Sequence, residues 1–187
     1  MSELYVDSHG AHADYPHFSE IPGNLQGAAQ AESLRKGERP LHETEKKIAR
    51  LHAHIARQRK DYLHKESRKI TNFYDLVCIE SLNMKEMSQD SRFGTSVHDN
   101  GWGMFTEFLS YKLERAGKKL VRIDKWYPSS KICSCCGKLK KELKLEDRIY
   151  SCTCGNQMNR DENAAINICR EGLRILGVEL ETERKIS

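Results

Sequence analysis

The stretch that decides the fold opens Trp126-Tyr127-Pro128-Ser129-Ser130-Lys131-Ile132-Cys133-Ser134-Cys135-Cys136-Gly137. A charged span carries it to Arg148-Ile149-Tyr150-Ser151-Cys152-Thr153-Cys154-Gly155, and it closes on Asn159-Arg160-Asp161-Glu162-Asn163-Ala164-Ala165-Ile166-Asn167-Ile168. The pairs Cys133/Cys136 and Cys152/Cys154 are separated by residues 137–151 and each is followed by glycine. Thiolates two or three residues apart on a turn present two sulfurs to one ion, and two such turns complete the tetrahedron that Zn²⁺ prefers. Glycine after each pair lets the backbone wrap around the sulfurs. Cys135 lies inside the first pair, and the more usual spacing of Cys133 and Cys136 makes it the non-ligand. Arg148-Ile149-Tyr150 reads as a strand entering the second turn, so the module is expected to be a ribbon. A closed four-thiolate site is structural and supplies no chemistry. Free or disulfide-bonded thiols are the competing reading, disfavoured because paired spacing in a chain without a secretory leader points to metal thiolates in a reducing cytoplasm.

Outward from this module the periodicity alternates. Residues 161–176 form an amphipathic helix ending at Gly177, followed by a charged tail. Upstream, Lys119 to Tyr127 reads as a strand closed by Pro128-Ser129-Ser130. Before it a helix runs from an Asp99 cap to Gly117, with Trp102, Phe105, Leu109, Leu113 and Ala116 as its apolar stripe. Leu76-Val77-Cys78-Ile79 is a continuous apolar run, as in a strand covered on both faces, and Glu80 ends it. Glu43 to about Thr71 is helical, with Ile48, Leu51, Ile55, Tyr62 and Leu63 near one face. Residues 19–42 hold Gly/Pro punctuation without a period and read as a linker. Leu4-Tyr5-Val6 is a short strand entering a turn at Asp7-Ser8-His9-Gly10. Cys78 and Cys169 fall in a strand and a helix and read as buried small hydrophobes. Four segments result: 1–42, a partial strand region and linker; 43–125, a core segment with a basic helix; 126–160, the ribbon; 161–187, the final helix and tail.

The chain has 187 residues, 38% hydrophobic and 31% charged, with a net charge of +4. That total is mild support for a polyanionic partner, but the distribution is stronger: residues 43–70 hold nine Lys/Arg against four Asp/Glu. Lys46, Lys47, Arg50, Arg57, Arg59 and Lys60 can contact phosphates regardless of base sequence; individually each is better explained as part of a solvated helix face. No run of 18 apolar residues and no apolar leader appears, so neither a membrane span nor a signal peptide is expected.

Glu80 at a strand end and Asp161 at a helix start would, by spacing alone, be ordinary surface carboxylates. The words around them change that. Val77-Cys78-Ile79-Glu80-Ser81-Leu82-Asn83, then Trp126 to Cys133, then Asn159-Arg160-Asp161-x-Asn163-Ala164-Ala165-x-Asn167-Ile168, occur in order. This series resembles the C-terminal half of the TnpB (OrfB) proteins of insertion-sequence transposons, which are similar to type V CRISPR effector nucleases. The resemblance runs from about Ile48 to Leu176. It implies a RuvC-like, RNase H-type fold with three acidic motifs around divalent metal, and a guide RNA that selects the DNA target. Glu80 matches the second acidic motif and Asp161 the third; both are candidate Mg²⁺ ligands, and Arg160 is a candidate phosphate contact. The first motif, an apolar strand carrying Asp, is not found. Asp7 is the upstream candidate, but Asp7 to Gly10 matches the hairpin after that strand better, which would place the required Asp before Met1.

The expected fold class is therefore α/β: an incomplete RNase H-like (RuvC) mixed sheet with packed helices and an inserted four-Cys zinc ribbon. The expected function is that of a truncated, transposon-encoded RNA-guided DNA endonuclease portion. It would bind DNA and guide RNA in the cytoplasm, hold structural Zn²⁺, and be impaired in Mg²⁺-dependent cleavage. The alternative is a non-catalytic zinc-ribbon protein that binds DNA or RNA.

Overall fold

The computed structural model describes residues 3–14, 16, 40–82, 101–144 and 146–178. Among these the chain order is β1 (Glu3–Val6), β2 (His12–Asp14), α1 (Pro40–Phe73), β3 (Leu76–Glu80), α2 (Gly101–Arg115), β4 (Lys119–Ile123), β5 (Ile149–Ser151), β6 (Gln157–Asn159) and α3 (Arg160–Ile175).

The apolar run at Leu76 forms a strand because flanking elements cover both its faces. β3 pairs in parallel with β4, from Leu76 opposite Lys119 to Glu80 opposite Ile123, and α2 lies between them in sequence as a crossover helix. Alternation along both strands then sorts the side chains. Val77 and Leu120 join the cluster formed with α1 and α2, whereas Cys78 and Val121 face α3. The core is Leu63 of α1 with Phe105, Phe108, Leu109 and Leu113 of α2. Tyr5 of β1 stacks on Phe105 with ring centroids 5.8 Å apart, which docks the β1–β2 hairpin on the same cluster.

α2 buries a wider stripe than expected. Phe108 and Lys112 are inside, at 7% and 5% exposure, while Ala116 lies beyond the helix and is exposed. The Lys112 ammonium is tolerated there because it donates to the His64 carbonyl and the Ser67 hydroxyl, both at 2.7 Å, and so staples α2 to α1. Burial, and then the charge of Arg68, lowers its pKa from the ordinary lysine value. The helix ends at Gly117 as expected, with Lys118 N–H returning to the Leu113 carbonyl at 2.8 Å. The expected Asp99 cap and most of the expected linker lie outside the described residues.

Two further expectations are corrected. β4 stops at Ile123 rather than reaching Tyr127, because the Asp124 carboxylate accepts from Trp126 N–H (2.7 Å) and its carbonyl from Tyr127 N–H (3.1 Å), which bends the chain into a turn. The strands also do not join in one mixed sheet. Among the described residues they form three two-stranded sheets: antiparallel β1–β2, parallel β3–β4 and antiparallel β5–β6.

Phe105 is 1% exposed and touches both the helical cluster and the hairpin. Phe105→Ala is expected to cost about 3–5 kcal/mol, read as a lower urea midpoint. An unchanged midpoint would contradict this packing.

Candidate metal centre and carboxylate sites

The four-cysteine spacing produces one compact cluster. The Sγ atoms of Cys133, Cys136, Cys152 and Cys154 all lie within 4.8 Å of one another. Cys133 and Cys154 are 3.7 Å apart, and Cys136 and Cys152 are 3.6 Å apart. Each pair sits on a knuckle whose glycine takes the left-handed conformation, Gly137 at φ +74° and Gly155 at φ +90°. Gly137 N–H returns to the Cys133 carbonyl at 2.9 Å and Gly155 N–H to the Cys152 carbonyl at 3.1 Å. Cys135 is exposed and outside the group, as expected. Among the described residues this is the one group of three or more ligand-type side chains close enough to share an ion.

The electrostatics of the cluster are uneven. Burial pushes the Cys133 thiol up, but hydrogen bonds from the Cys136 and Cys135 backbone amides outweigh it and bring the pKa to about 6. Cys154 gains from the Asn156 amide, yet burial and the neighbouring sulfurs drive it to about 12. Four thiolates at this spacing oppose one another unless a cation sits between them. The donor set is soft and closed, so these residues can hold a metal ion.

The module is fixed to the core through α3. Fully buried Asn163 accepts from Ser134 N–H (2.9 Å) and donates to the Ile132 carbonyl (2.7 Å). Asn167 donates to the Ser129 and Ile132 carbonyls at 2.8 and 2.7 Å. Arg170 reaches the Ser134 carbonyl. Tyr150 of β5, at 0% exposure, donates to the Lys131 carbonyl. β6 then runs directly into α3, whose cap is Asn159: its side chain accepts from Asp161 N–H at 2.8 Å and Glu162 N–H at 3.4 Å.

Each sequence-selected carboxylate has its own partners. Glu80 ends β3, and its carboxylate accepts from the hydroxyl of Ser129, a residue 5% exposed. The Asp161 side chain is 44% exposed, with Arg160 Nε at 3.6 Å and an Arg148 terminal nitrogen at 3.9 Å. Both residues belong to elements packed on α3 or starting it, and among the described residues neither is part of a group of three or more ligand-type side chains close enough to share an ion. Asp7 is consumed by its turn. One carboxylate oxygen accepts from His9 and Ala11 N–H, both at 2.8 Å, and the other from Tyr74 hydroxyl at 2.7 Å. Burial and the Asp7 contact push the Tyr74 phenol up to about 12.

Of the selected cations, Lys46, Lys47, Arg50, Arg57 and Lys60 are exposed on α1, while Arg59 is half-buried. Arg160 is 15% exposed at its side chain and donates to the Lys144 carbonyl at 3.2 Å, so its guanidinium is engaged within the chain. Sequence reading missed Ser129 as the partner of Glu80. The Pro128-Ser129-Ser130 word marked the turn but gave no sign of which carboxylate would arrive there.

Family models match two parts of the chain: residues 26–91 match one described as "Probable transposase", and residues 102–168 one described as "Cas12f1-like, TNB domain". A Streptomyces pristinaespiralis protein named as an RNA-guided DNA endonuclease is 37% identical over 138 residues, covering 74% of this chain and 34% of that protein. A TnpB-like protein of Acanthamoeba polyphaga mimivirus is 31% identical over 134 residues, covering 68% and 25%. The chain thus spans about a third or less of these relatives. A chain in the cryo-EM structure of a Cas12f1-sgRNA-target DNA complex shares the fold at TM-score 0.57 and 20% identity, over 84% of this chain and 43% of that one. No helix among the described residues is long and apolar enough to cross a membrane.

Asn163→Ala removes one acceptor and one donor from a dry site, and is expected to cost about 2–3 kcal/mol, with most of the loss coming from the leaving of Ser134 N–H without a partner. Urea unfolding of the metal-loaded chain measures it, and a loss under half a kcal/mol would remove this residue from its structural role.

Proposed function

We propose that this chain, which belongs to the TnpB (OrfB) family of insertion-sequence transposon proteins, is the RuvC-like, zinc-stapled portion of an RNA-guided DNA endonuclease, and that alone it binds nucleic acid with cleavage impaired. The observation that carries the reading is the join of the four-sulfur cluster, through β6 and the Asn159 cap, to the helix that carries Asp161 in its first turn. An RNase H-like arrangement would use this join to fix the third acidic residue relative to the sheet that presents Glu80.

Zinc is the ion that fits the cysteines. With Zn–S near 2.3 Å, a tetrahedron has S···S edges of about 3.8 Å, against 3.7 and 3.6 Å for two of the edges here. No coordination position is left open, so the role is structural. Nuclease chemistry would belong to the carboxylates. Mg²⁺ held by them would supply Lewis acidity to a phosphate and an activated water. The chain's own part is positional: Ser129 orients the Glu80 carboxylate, and Arg160 and Arg148 lie 3.6 and 3.9 Å from that of Asp161. Two motif carboxylates alone would under-ligand such a site, and among the described residues Asp7 has both its oxygens occupied, accepting from His9, Ala11 and Tyr74. This favours impaired cleavage, because residues that act as a unit lose activity far more than proportionately. The exposed lysines and arginines of α1 would hold phosphates of DNA or guide RNA.

Purified full-length chain is expected to carry one zinc ion, lost together with the folding of residues 126–160 in Cys136→Ser; zinc-free protein with an intact fold would overturn the metal assignment. Single-stranded DNA or RNA is expected to bind with salt dependence, and Arg57→Ala/Lys60→Ala to shallow the log K against log salt slope by about 1.4, near 0.7 per lost phosphate contact. Supercoiled plasmid is expected to stay intact in Mg²⁺ or Mn²⁺. Nicking abolished by Glu80→Ala and by Asp161→Ala would overturn the impairment and establish an active centre.

A further inference from the structure

Among the described residues two rings stand almost wholly in solvent, Phe73 at 80% and Trp126 at 79% exposure. They do not form one apolar patch. Phe73 precedes β3 and Trp126 follows β4, and because these strands run parallel the rings lie at opposite ends of the pair. A strand of five residues, at about 3.3 Å per residue, separates those ends by about 16 Å.

Trp126 is set apart by where its loop is held. Residues 124–128 leave the ladder at Ile123, which lies opposite Glu80, and return at Ser129, whose hydroxyl donates to the Glu80 carboxylate. Ser81 N–H, donating to the Ile123 carbonyl at 3.1 Å, closes the same end of the ladder. Trp126 is three residues from either anchor, so its Cα lies at most about 11 Å from each. The backbone that carries the ring is pinned as well: the Asp124 carboxylate accepts from Trp126 N–H at 2.7 Å, and the Asp124 carbonyl from Tyr127 N–H at 3.1 Å. An indole is thus presented to solvent on a short, tied loop that starts and ends at Glu80.

The surroundings of the ring are charged. The Lys125 ammonium lies over the indole, 4.8 Å from its centroid. Between residues 122 and 131 the exposed charged side chains are Arg122, Asp124, Lys125 and Lys131, three cations to one carboxylate, and that carboxylate already holds the Trp126 amide. A protein interface buries a group of apolar side chains around such an anchor. A lone π-face among cations matches instead one unpaired base with its phosphates on either side.

We propose that Trp126 is a stacking platform for an unpaired base of single-stranded DNA, which it positions so that the backbone passes Glu80. The inference rests on the reading of the chain as the nucleic-acid-binding portion of a nuclease, and adds the residue that places the strand. Proximity to Glu80 assigns the platform to the strand that would be cut, which is DNA, rather than to the guide. Every base has a π-face, so the platform holds the strand without sequence preference. A base inside a duplex has both faces covered by its neighbours, so single strands are taken in preference to duplex.

The zinc-loaded full-length chain is titrated with oligo(dT) and with an abasic oligodeoxynucleotide of equal length and charge. Wild type is expected to favour oligo(dT), and Trp126→Ala to lose about 5- to 150-fold of that preference, the range for one stacked base. The salt slope of binding stays unchanged, because no charge is removed. Trp126→Phe, which keeps a ring, retains most of the preference. In wild type, oligo(dT) carrying 5-iododeoxyuridine is expected to crosslink under near-ultraviolet light to tryptic peptide 126–131, a readout that does not depend on the folding of any variant. An undiminished preference in Trp126→Ala, or crosslinks confined to other peptides, overturns the platform while leaving the nucleic-acid reading in place. Failure of wild type to bind either oligonucleotide overturns both. Dependence on Trp126 with oligo(U) but not with oligo(dT) overturns the assignment to DNA.

Discussion

The carbonyl of Ile132 accepts from two side chains of one helix, Asn163 and Asn167, and the rest of the molecule is arranged around that join. The same two amides take up Ser134 N–H and the Ser129 carbonyl. A loop leading into a metal knuckle would otherwise carry unsatisfied polar groups into a dry interface, which costs more than a hydrogen bond returns. Placing the partners on α3 settles that cost and also fixes the loop's Ser129, whose hydroxyl meets Glu80. One set of amide bonds thus ties a small module, a helix and a strand end together.

The module between Ile123 and Asn159 has little interior of its own. Cys133 and Tyr150 are its buried hydrophobic residues, and Ser129 and Ser134 its buried polar ones. Such a segment relies on its seat on α3, and on whatever ion its sulfurs gather, rather than on a core. The opposed preferences of Cys133 and Cys154, one toward charge and the other against it, are what four converging sulfurs show before a cation balances them. An ion held by the sulfurs would gather the knuckles on one side of this segment, while on the other the asparagines align them with the helix.

Much of this was legible because it is local. Cysteine spacing, the glycines behind it, the apolar run at Leu76 and the turn at Asp7 each depend on residues a few positions apart, and each is found where expected. What the sequence could not show depends on meetings across the chain. Lys112 is buried because His64 and Ser67 of another helix offer it acceptors. β4 ends early because Asp124 captures the amides of Trp126 and Tyr127, a competition that apolar pattern does not register. Arg160, selected as a phosphate contact, has its guanidinium engaged by the Lys144 carbonyl, a partner sixteen residues away in sequence. The partition into three small sheets is likewise a matter of which strands find each other, not of which residues favour strands.

The parallel pair β3–β4 is covered above by α1 and α2 and below by α3, yet among the described residues neither strand has a neighbour on its outer rim. Peptide groups along such a rim read no side-chain identity; they match any backbone that arrives extended and in phase. Any strand added to this layer would therefore join sideways, by main-chain zippering, since the helices already settle its thickness.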